Sequence, residues 1–188
     1  MPCRNLVIAC VFLALPASAQ QFGRAATADE IALWDIDVRA DGAGLPDGHG
    51  TAAQGAALYE MHCAACHGET GEGGPNDRLV GGHGSLATDA PVKTVGSYWP
   101  YATTLYDYIG RAMPYYDPGS LTADETYAVA AYILAMNDIL PGDGSLDRNA
   151  LPLIEMPNRH GFIPEPEFAP LLPGGGRTDD NAHAAPTP

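Results

Sequence analysis

Residues 63–67 read CAACH, and this short motif is the strongest indication of the fold in the sequence. Cys-x-x-Cys-His is the attachment pattern of c-type haem. Two thiols one helical turn apart can both reach the vinyl-derived carbons on one edge of a porphyrin, and the adjacent histidine is then placed under the iron. The sequence therefore predicts one covalently attached haem c, held by Cys63, Cys66 and His67, with His67 as the proximal ligand.

Two other sites use closely spaced cysteines, and the surrounding sequence disfavours both. A thioredoxin-like dithiol motif lies in a βαβ context, and no such pattern surrounds residues 63–67. A zinc site needs two further ligands at a second short spacing, and no Cys or paired His supplies them.

The N-terminus has the features of a secretory signal peptide. A short basic start with Arg4 is followed by the apolar run LVIACVFLAL at 6–15 and by a small-x-small site at 17–19. Ten apolar residues are too few for a transmembrane helix, which needs roughly 20. We expect cleavage after Ala19, export to the periplasm and no membrane anchor. Cys3 and Cys10 leave with the signal peptide.

The charge of the chain is strongly negative. Nine basic and 23 acidic residues give a formal net charge of −14, and loss of Arg4 with the signal peptide makes it −15. A field of this sign repels nucleic acid and anionic lipid and favours docking to a basic patch on a protein partner. We therefore expect no nucleic-acid partner.

Composition divides the chain after the signal peptide into four regions. We expect an N-terminal arm at 20–50, a helical cytochrome domain at 51–140, a Pro-rich extended segment at 141–172 and a disordered tail at 173–188. Both arms contain apolar islands, around Trp34 in the first and around several Leu, Ile and Met residues in the second. We expect these islands to pack either against a second subunit or against the chain's own core.

Three helices are predicted in the middle region. Thr51 with Gln54 forms a capping box that opens a helix running to about Cys66. The third helix begins at Thr122 with a second capping box and ends near Asn137; its run YAVAAYILAM is apolar nearly all round, which indicates burial on more than one side.

The second helix is predicted from about Thr104 to Ala112. Leu105, Tyr108, Ile109 and Ala112 follow helical spacing, and Pro114 stops the helix. No segment alternates as a strand should, so the predicted class is all-α with long loops and extended arms.

The sixth iron ligand is chosen among several methionines and histidines. Met61 and His62 lie on the proximal helix and cannot reach the other haem face, and Met136 falls inside a helix as a core residue. Met113 directly follows a helix and precedes a Pro- and Gly-containing loop, so it is the preferred ligand, with His83 and Met156 as alternatives. A Met/His pair raises the reduction potential and closes both axial positions, which favours electron transfer.

Pro75 is a further candidate for the haem site. The Gly73-Gly74-Pro75 loop is expected to turn back under the haem, where a backbone carbonyl can accept the proton of His67 Nδ1. Pro75 as a simple stiffener of a Gly-rich loop is the alternative.

The region 51–140 resembles the class I cytochromes c. The resemblance rests on the first-helix positions, the loop after the haem motif, the methionine ligand and the last-helix aromatic, namely Gly55, Tyr59, Gly74-Pro75, Leu79, Met113-Pro114 and Tyr132.

A narrower resemblance covers nearly the whole chain after residue 19. It is to SoxD, the family of cytochrome subunits of the Sox sulfane dehydrogenases. The similar strings are WDIDVR at 34–39, GS at 96–97, YATTL at 101–105, DYI at 107–109, RAMP at 111–114, YAV at 127–129, NDI at 137–139 and MPNR at 156–159.

The SoxD resemblance implies a periplasmic complex with a molybdenum-cofactor subunit (SoxC-like) that oxidises carrier-bound sulfur during thiosulfate oxidation. The cytochrome would pass the electrons to a soluble acceptor such as another cytochrome c, and no substrate catalysis is expected from this chain alone. Two features depart from the family: there is no second C-x-x-C-H, and His160 stands where an acidic residue is expected. The alternatives are a free diffusible cytochrome c and the cytochrome subunit of a molybdenum sulfite dehydrogenase.

Overall fold

The computed structural model of the chain describes residues 23–162. They fall in two compact units, one ending at Ile36 and the other beginning at Asp37. The predicted signal peptide at 1–19 and the predicted tail at 173–188 lie outside the described residues. No helix in the described range has both the length and the apolarity that a membrane span requires.

The first unit contains one short helix, α1 (Ala28–Ala32). Thr27 caps it by accepting a hydrogen bond from the Glu30 backbone N–H, and the Glu30 carboxylate accepts one from the Thr27 N–H in return. Arg24 pairs with the same carboxylate. The apolar island predicted around Trp34 is exposed to solvent throughout, at Ile31, Leu33, Trp34 and Ile36.

The first helix of the second unit is α2 (Ala52–His62). The predicted capping box between Thr51 and Gln54 is present. The helix ends at His62 and not near Cys66, because Cys63 leaves helical geometry, and a separate turn, α3 (Ala64–His67), follows.

The helix α4 (Ala102–Ala112) starts two residues before the predicted position and ends, as predicted, before Pro114. Leu105 and Ile109 are buried, but Tyr108 is 48% exposed, so its predicted core position is wrong. Tyr106 is buried in its place because its ring packs on Tyr127 of the last helix, with ring centroids 4.4 Å apart. Tyr108 instead lies edge-on to Trp99.

The last helix, α5 (Ala123–Met136), confirms the prediction at both ends, with Thr122 as its N-cap and Asn137 as its C-cap. It crosses α2 at Gly55, where an added Cβ would overlap the Ala128 carbonyl oxygen. This close approach also brings Tyr59 against Tyr132, with ring centroids 5.4 Å apart.

A small antiparallel sheet corrects the all-α prediction. Strand β1 (His49–Thr51) pairs with β2 (Ser145–Asp147), and Gly50 lies opposite Leu146. Each strand has three residues, which is too short for an alternating pattern to be recognised in the sequence. The sheet packs on α5, where an added Cβ at Gly50 would overlap the Ala128 backbone.

The described part of the predicted Pro-rich segment, residues 141–162, packs on the domain itself. Leu146, Leu151 and Met156 are buried members of the main hydrophobic core. The Asn158 side-chain amide donates to the Tyr98 carbonyl at 2.7 Å, and the Arg159 guanidinium lies over the Tyr101 ring at 4.3 Å. The described part of this segment therefore packs against the chain's own core, which is one of the two environments predicted for it.

Candidate haem site

The haem motif lies where α2 gives way to α3. The Cys63 N–H still donates to the Tyr59 carbonyl at 2.8 Å, and the His67 N–H donates to the Cys63 carbonyl at 2.9 Å. Helical bonding on both sides therefore fixes the spacing of the two cysteines and the histidine. Both cysteines are free thiols and half-buried, and Cys63 packs against the hydrophobic core.

The thiol chemistry of Cys63 differs from that of a redox dithiol. Burial, and then the neighbouring Cys66, raise the pKa of Cys63 to about 11. A nucleophilic redox cysteine has a lowered pKa and is a thiolate near neutral pH. Cys63 is therefore protonated near neutral pH and lacks the thiolate character of a redox cysteine, which argues against the dithiol redox interpretation.

The proximal histidine has a fixed orientation. His67 Nδ1 lies 2.7 Å from the Asp77 carbonyl oxygen. Since a carbonyl only accepts, Nδ1 carries the proton and Nε2 has the free lone pair that an iron ligand needs. Metal-ligating histidines characteristically donate their second ring nitrogen to a carbonyl or carboxylate, so the donor set fits haem iron.

The carbonyl that accepts the His67 Nδ1 proton belongs to Asp77, two residues beyond the Gly73-Gly74-Pro75 loop in which a backbone acceptor was predicted. The loop doubles back beside the motif: the Asn76 N–H donates to the Cys66 carbonyl at 2.9 Å, so the chain passes Cys66 before it reaches His67. Gly74 permits this passage, since an added Cβ would overlap the Cys66 carbonyl. Pro75 itself is exposed within this loop.

Two further side chains hold the loop that surrounds the motif. The Tyr59 hydroxyl donates to the Gly68 carbonyl at 2.9 Å, directly after His67. Asn137, which is buried at the end of α5, donates to the Leu79 carbonyl at 3.2 Å and accepts from the Gly81 N–H at 3.2 Å. Asn137 and Asp77 were not predicted as site residues. An Asn at a helix C-cap was the available signal for the first, whereas a backbone acceptor such as Asp77 leaves no trace in residue type.

The predicted distal ligand, Met113, is the C-cap of α4. Its N–H donates to the Ile109 carbonyl at 3.0 Å, and its side chain is half-buried against the core. The peptide bond to Pro114 is cis. The helix end thus holds the Met113 backbone while the residue as a whole remains partly exposed.

The rival ligands lie in less suitable environments. Met156 is buried in the core with 1% of its surface exposed, and His83 is exposed on a loop. Met61 is exposed on α2 beside the motif, and Met136 packs toward Gly71. Met113 and Met136 are both half-buried at a helix end, but Met136 packs toward the loop that follows His67, whereas Met113 lies at the end of a different helix, α4.

Comparisons with known proteins identify the family to which the fold belongs. Residues 50–133 match the family model described as cytochrome c oxidase, cbb3-type, subunit III. No curated protein sequence matches the chain. A solved structure, the sulfane dehydrogenase SoxCD from Paracoccus pantotrophus, contains a chain that is 38% identical, with a TM-score of 0.73; the match covers 90% of this chain and 85% of that one.

The fold and the motif define a class I cytochrome c domain, an electron-transfer module whose family cofactor is haem c. Within this class, the chain belongs to the family of SoxD, the cytochrome subunit of the sulfane dehydrogenases, which confirms the resemblance found in the sequence.

Proposed function

We propose that this chain is a periplasmic mono-haem cytochrome that accepts electrons from a molybdenum-cofactor subunit oxidising sulfur compounds and passes them to a soluble acceptor. The observation that carries the proposal is the hydrogen bond between His67 Nδ1 and the Asp77 carbonyl, because it prepares Nε2 to bind iron. The expected covalent links are thioethers at Cys63 and Cys66, and Met113 is the expected distal ligand.

Each residue of the site has a distinct role in this proposal. When bound, haem supplies a one-electron redox couple. Cys63 and Cys66 would hold the cofactor, His67, oriented by Asp77, would bind the iron, and Met113 would be its second protein ligand. With both ligands supplied by protein, the chain would carry electrons and leave the sulfur chemistry to its partner.

The proposed partner is a SoxC-like molybdenum subunit. The likeness to a SoxCD chain over 90% of the length supports this choice, because it extends well beyond the cytochrome domain itself. The exposed apolar residues of the first unit, which include Trp34 with 85% of its surface exposed, suit a surface that a second protein covers. The cytochrome subunit of a molybdenum sulfite dehydrogenase would use the same features.

A free diffusible electron carrier is the second candidate. The acidic charge of the chain favours it, since transient docking to a basic partner needs no permanent subunit.

Native purification tests the partner proposal. The untagged protein is isolated from the periplasm, and haem, molybdenum and polypeptides are quantified in the same chromatographic peak. A stoichiometric second chain with molybdenum is the expected result, and activity on sulfane sulfur or sulfite then identifies the substrate. A haem-containing monomer that remains alone at low salt would reject the subunit proposal and favour the diffusible carrier.

Substitution of Met113 tests the ligand set. Met113→Ala is expected to abolish the methionine-to-iron charge-transfer band of the ferric protein and to let the ferrous protein bind carbon monoxide. Met61→Ala is the matched control, because Met61 is also near the motif but exposed on the proximal helix. An unchanged band in Met113→Ala would reject this residue as the ligand.

A further inference from the structure

The loop that follows Met113 has few attachments to the rest of the domain. It runs from Pro114 to Ser120, and after the buried Pro114 every residue of it is exposed. Its internal bonds form two turns, from the Asp117 N–H to the Pro114 carbonyl at 2.9 Å and from the Ser120 N–H to the Asp117 carbonyl at 3.3 Å. These turns shape the loop but do not attach it to another element.

A single side-chain hydrogen bond joins the loop to another helix. The Tyr116 hydroxyl lies 2.8 Å from His62 Nδ1. Within residues 23–162, this is the only hydrogen bond that joins the loop from Pro114 to Ser120 to any residue outside it.

The position of His62 gives this contact its significance. His62 is the last residue of α2 and directly precedes Cys63, while Tyr116 is the third residue after Met113. The hydrogen bond therefore connects the segment that carries the haem attachment motif to the segment that carries the proposed distal ligand. This bond therefore restricts how far the Met113 segment can move away from the haem attachment motif.

We propose that His62 and Tyr116 form a latch that positions the loop behind Met113 and so keeps the thioether at its ligating position. This inference rests on the proposed ligation by Met113. Both are positioning residues, since they act through Met113 and not on the metal. The ferric state is the more sensitive one, because a thioether is a soft donor and binds the harder ferric ion more weakly.

The size of the effect follows from the strength of one neutral hydrogen bond. Such a bond contributes modestly, and its loss changes an equilibrium by about 2- to 10-fold. Displacement of Met113 by an added ligand is an equilibrium of this kind. Imidazole, which binds ferric haem when the methionine moves away, is therefore the probe.

The test uses the full-length, haem-loaded protein and two matched tyrosines. Tyr116→Phe removes only the hydroxyl, and Tyr115→Phe makes the same change at a neighbouring exposed side chain that makes no hydrogen bond within the described residues. Imidazole is expected to bind ferric Tyr116→Phe about 2- to 10-fold more tightly than the parent, with a weaker methionine-to-iron band. Tyr115→Phe is expected to behave as the parent.

Variants of His62 separate a latch from a general loss of packing. His62→Gln keeps a group that can bond to the tyrosine hydroxyl and is expected to restore much of the parent behaviour, whereas His62→Ala is expected to match Tyr116→Phe. Combining His62→Ala with Tyr116→Phe should add nothing further, since either change already breaks the bond.

The outcomes distinguish the latch from the ligand set. A parent protein with a methionine band that Met113→Ala abolishes, but with equal imidazole affinity in Tyr116→Phe and Tyr115→Phe, would overturn the latch and leave the proposed function standing. Additive effects of His62→Ala and Tyr116→Phe would overturn it as well. A parent with no methionine band would overturn both the ligand assignment and the latch.

Discussion

Two stretches flank the helical domain, and they treat their apolar side chains in opposite ways. Residues 141–162 bury Leu146, Leu151 and Met156 in the main core. Residues 23–36 leave Ile31, Leu33, Trp34 and Ile36 exposed, although α1 within them is well capped. In sequence the two stretches share one feature, since both place apolar residues among polar and charged ones.

The difference shows that an apolar island in an arm predicts burial but does not predict which surface buries it. Burial of such side chains is favourable wherever a complementary surface exists, because the hydrophobic effect is not directional. The C-terminal stretch finds that surface in its own domain through the pairing of β2 with β1. The N-terminal stretch leaves the same kind of side chain available to another protein.

The largest expected effect concerns Leu151 and Leu153, which lie in one 3₁₀ turn. Leu151 is fully buried and Leu153 is 81% exposed. Leu151→Ala is expected to lower the free energy of unfolding by about 2–5 kcal/mol, because it leaves a cavity in the core. Leu153→Ala should change it by less than about 0.5 kcal/mol. Denaturant titration measures both, and equal effects would contradict the burial of this stretch in the core.

The complementary prediction concerns Trp34. Trp34→Ala is expected to leave the free energy of unfolding within about 0.5 kcal/mol of the parent, because the side chain is exposed. If this stretch contacts the proposed molybdenum subunit, the same change should raise the dissociation constant of that complex roughly 30-fold or more, as loss of an aromatic interface residue commonly does. Calorimetry or a surface-binding assay measures this, with Leu153→Ala as the control. Unchanged affinity would remove Trp34 from the interface.

The attachment of the C-terminal stretch through the sheet can be tested at Gly50. Gly50→Ala is expected to destabilise the protein by about 1–3 kcal/mol, since the new Cβ overlaps the Ala128 backbone on α5. Gly142→Ala is the matched control, because no atom lies within 4 Å of its added Cβ. Thermal or chemical unfolding compares them; a neutral Gly50→Ala would mean that the sheet does not pack on α5 this closely.

The smallest effect is a difference in acid sensitivity between the two stretches. The Ala150 and Asn149 backbone N–H groups lower the pKa of Asp147 below its usual 3.8. A carboxyl whose folded pKa is lowered contributes stability above its unfolded pKa, and this is lost as the pH falls through the folded value. Asp147→Asn should therefore lessen the decline in stability below about pH 4.

Glu30 provides the contrast in the N-terminal stretch. Its ion pair with Arg24, and then its bond from Thr27, lower its pKa to about 2. Because α1 buries no residue, its titration is expected to affect only the local helix. Glu30→Gln should leave the global acid-unfolding curve unchanged, as measured by tryptophan-independent probes such as haem absorbance. A shifted curve would show that α1 supports the domain.

Local chemistry made much of the fold predictable. The capping boxes at Thr51 and Thr122 marked the starts of α2 and α5 because they depend on residues three positions apart. The haem motif was recognisable for the same reason. The ends of α4 were also close to prediction, since Pro114 cannot continue a helix.

The remaining features depend on contacts between distant parts of the chain. Tyr106 and Tyr108 both fit a helical pattern, and only the position of Tyr127 decides which of them is buried. The sheet pairs two segments that precede and follow the helices in the sequence. The carbonyl that orients His67 belongs to Asp77, and only the path of the loop brings it there. Residue types carry little information about such contacts.

The crossing of α2 and α5 at Gly55 also has a consequence for biogenesis. Ala128 can pack against Gly55 only after the intervening loops and α4 have been brought together, because the two residues are far apart in the chain. Closing so long a stretch is slow compared with forming a helix. We therefore expect Cys63 and Cys66 to stay accessible on the unpacked chain until α2 and α5 cross, so that haem can be attached to both thiols before the domain closes around them.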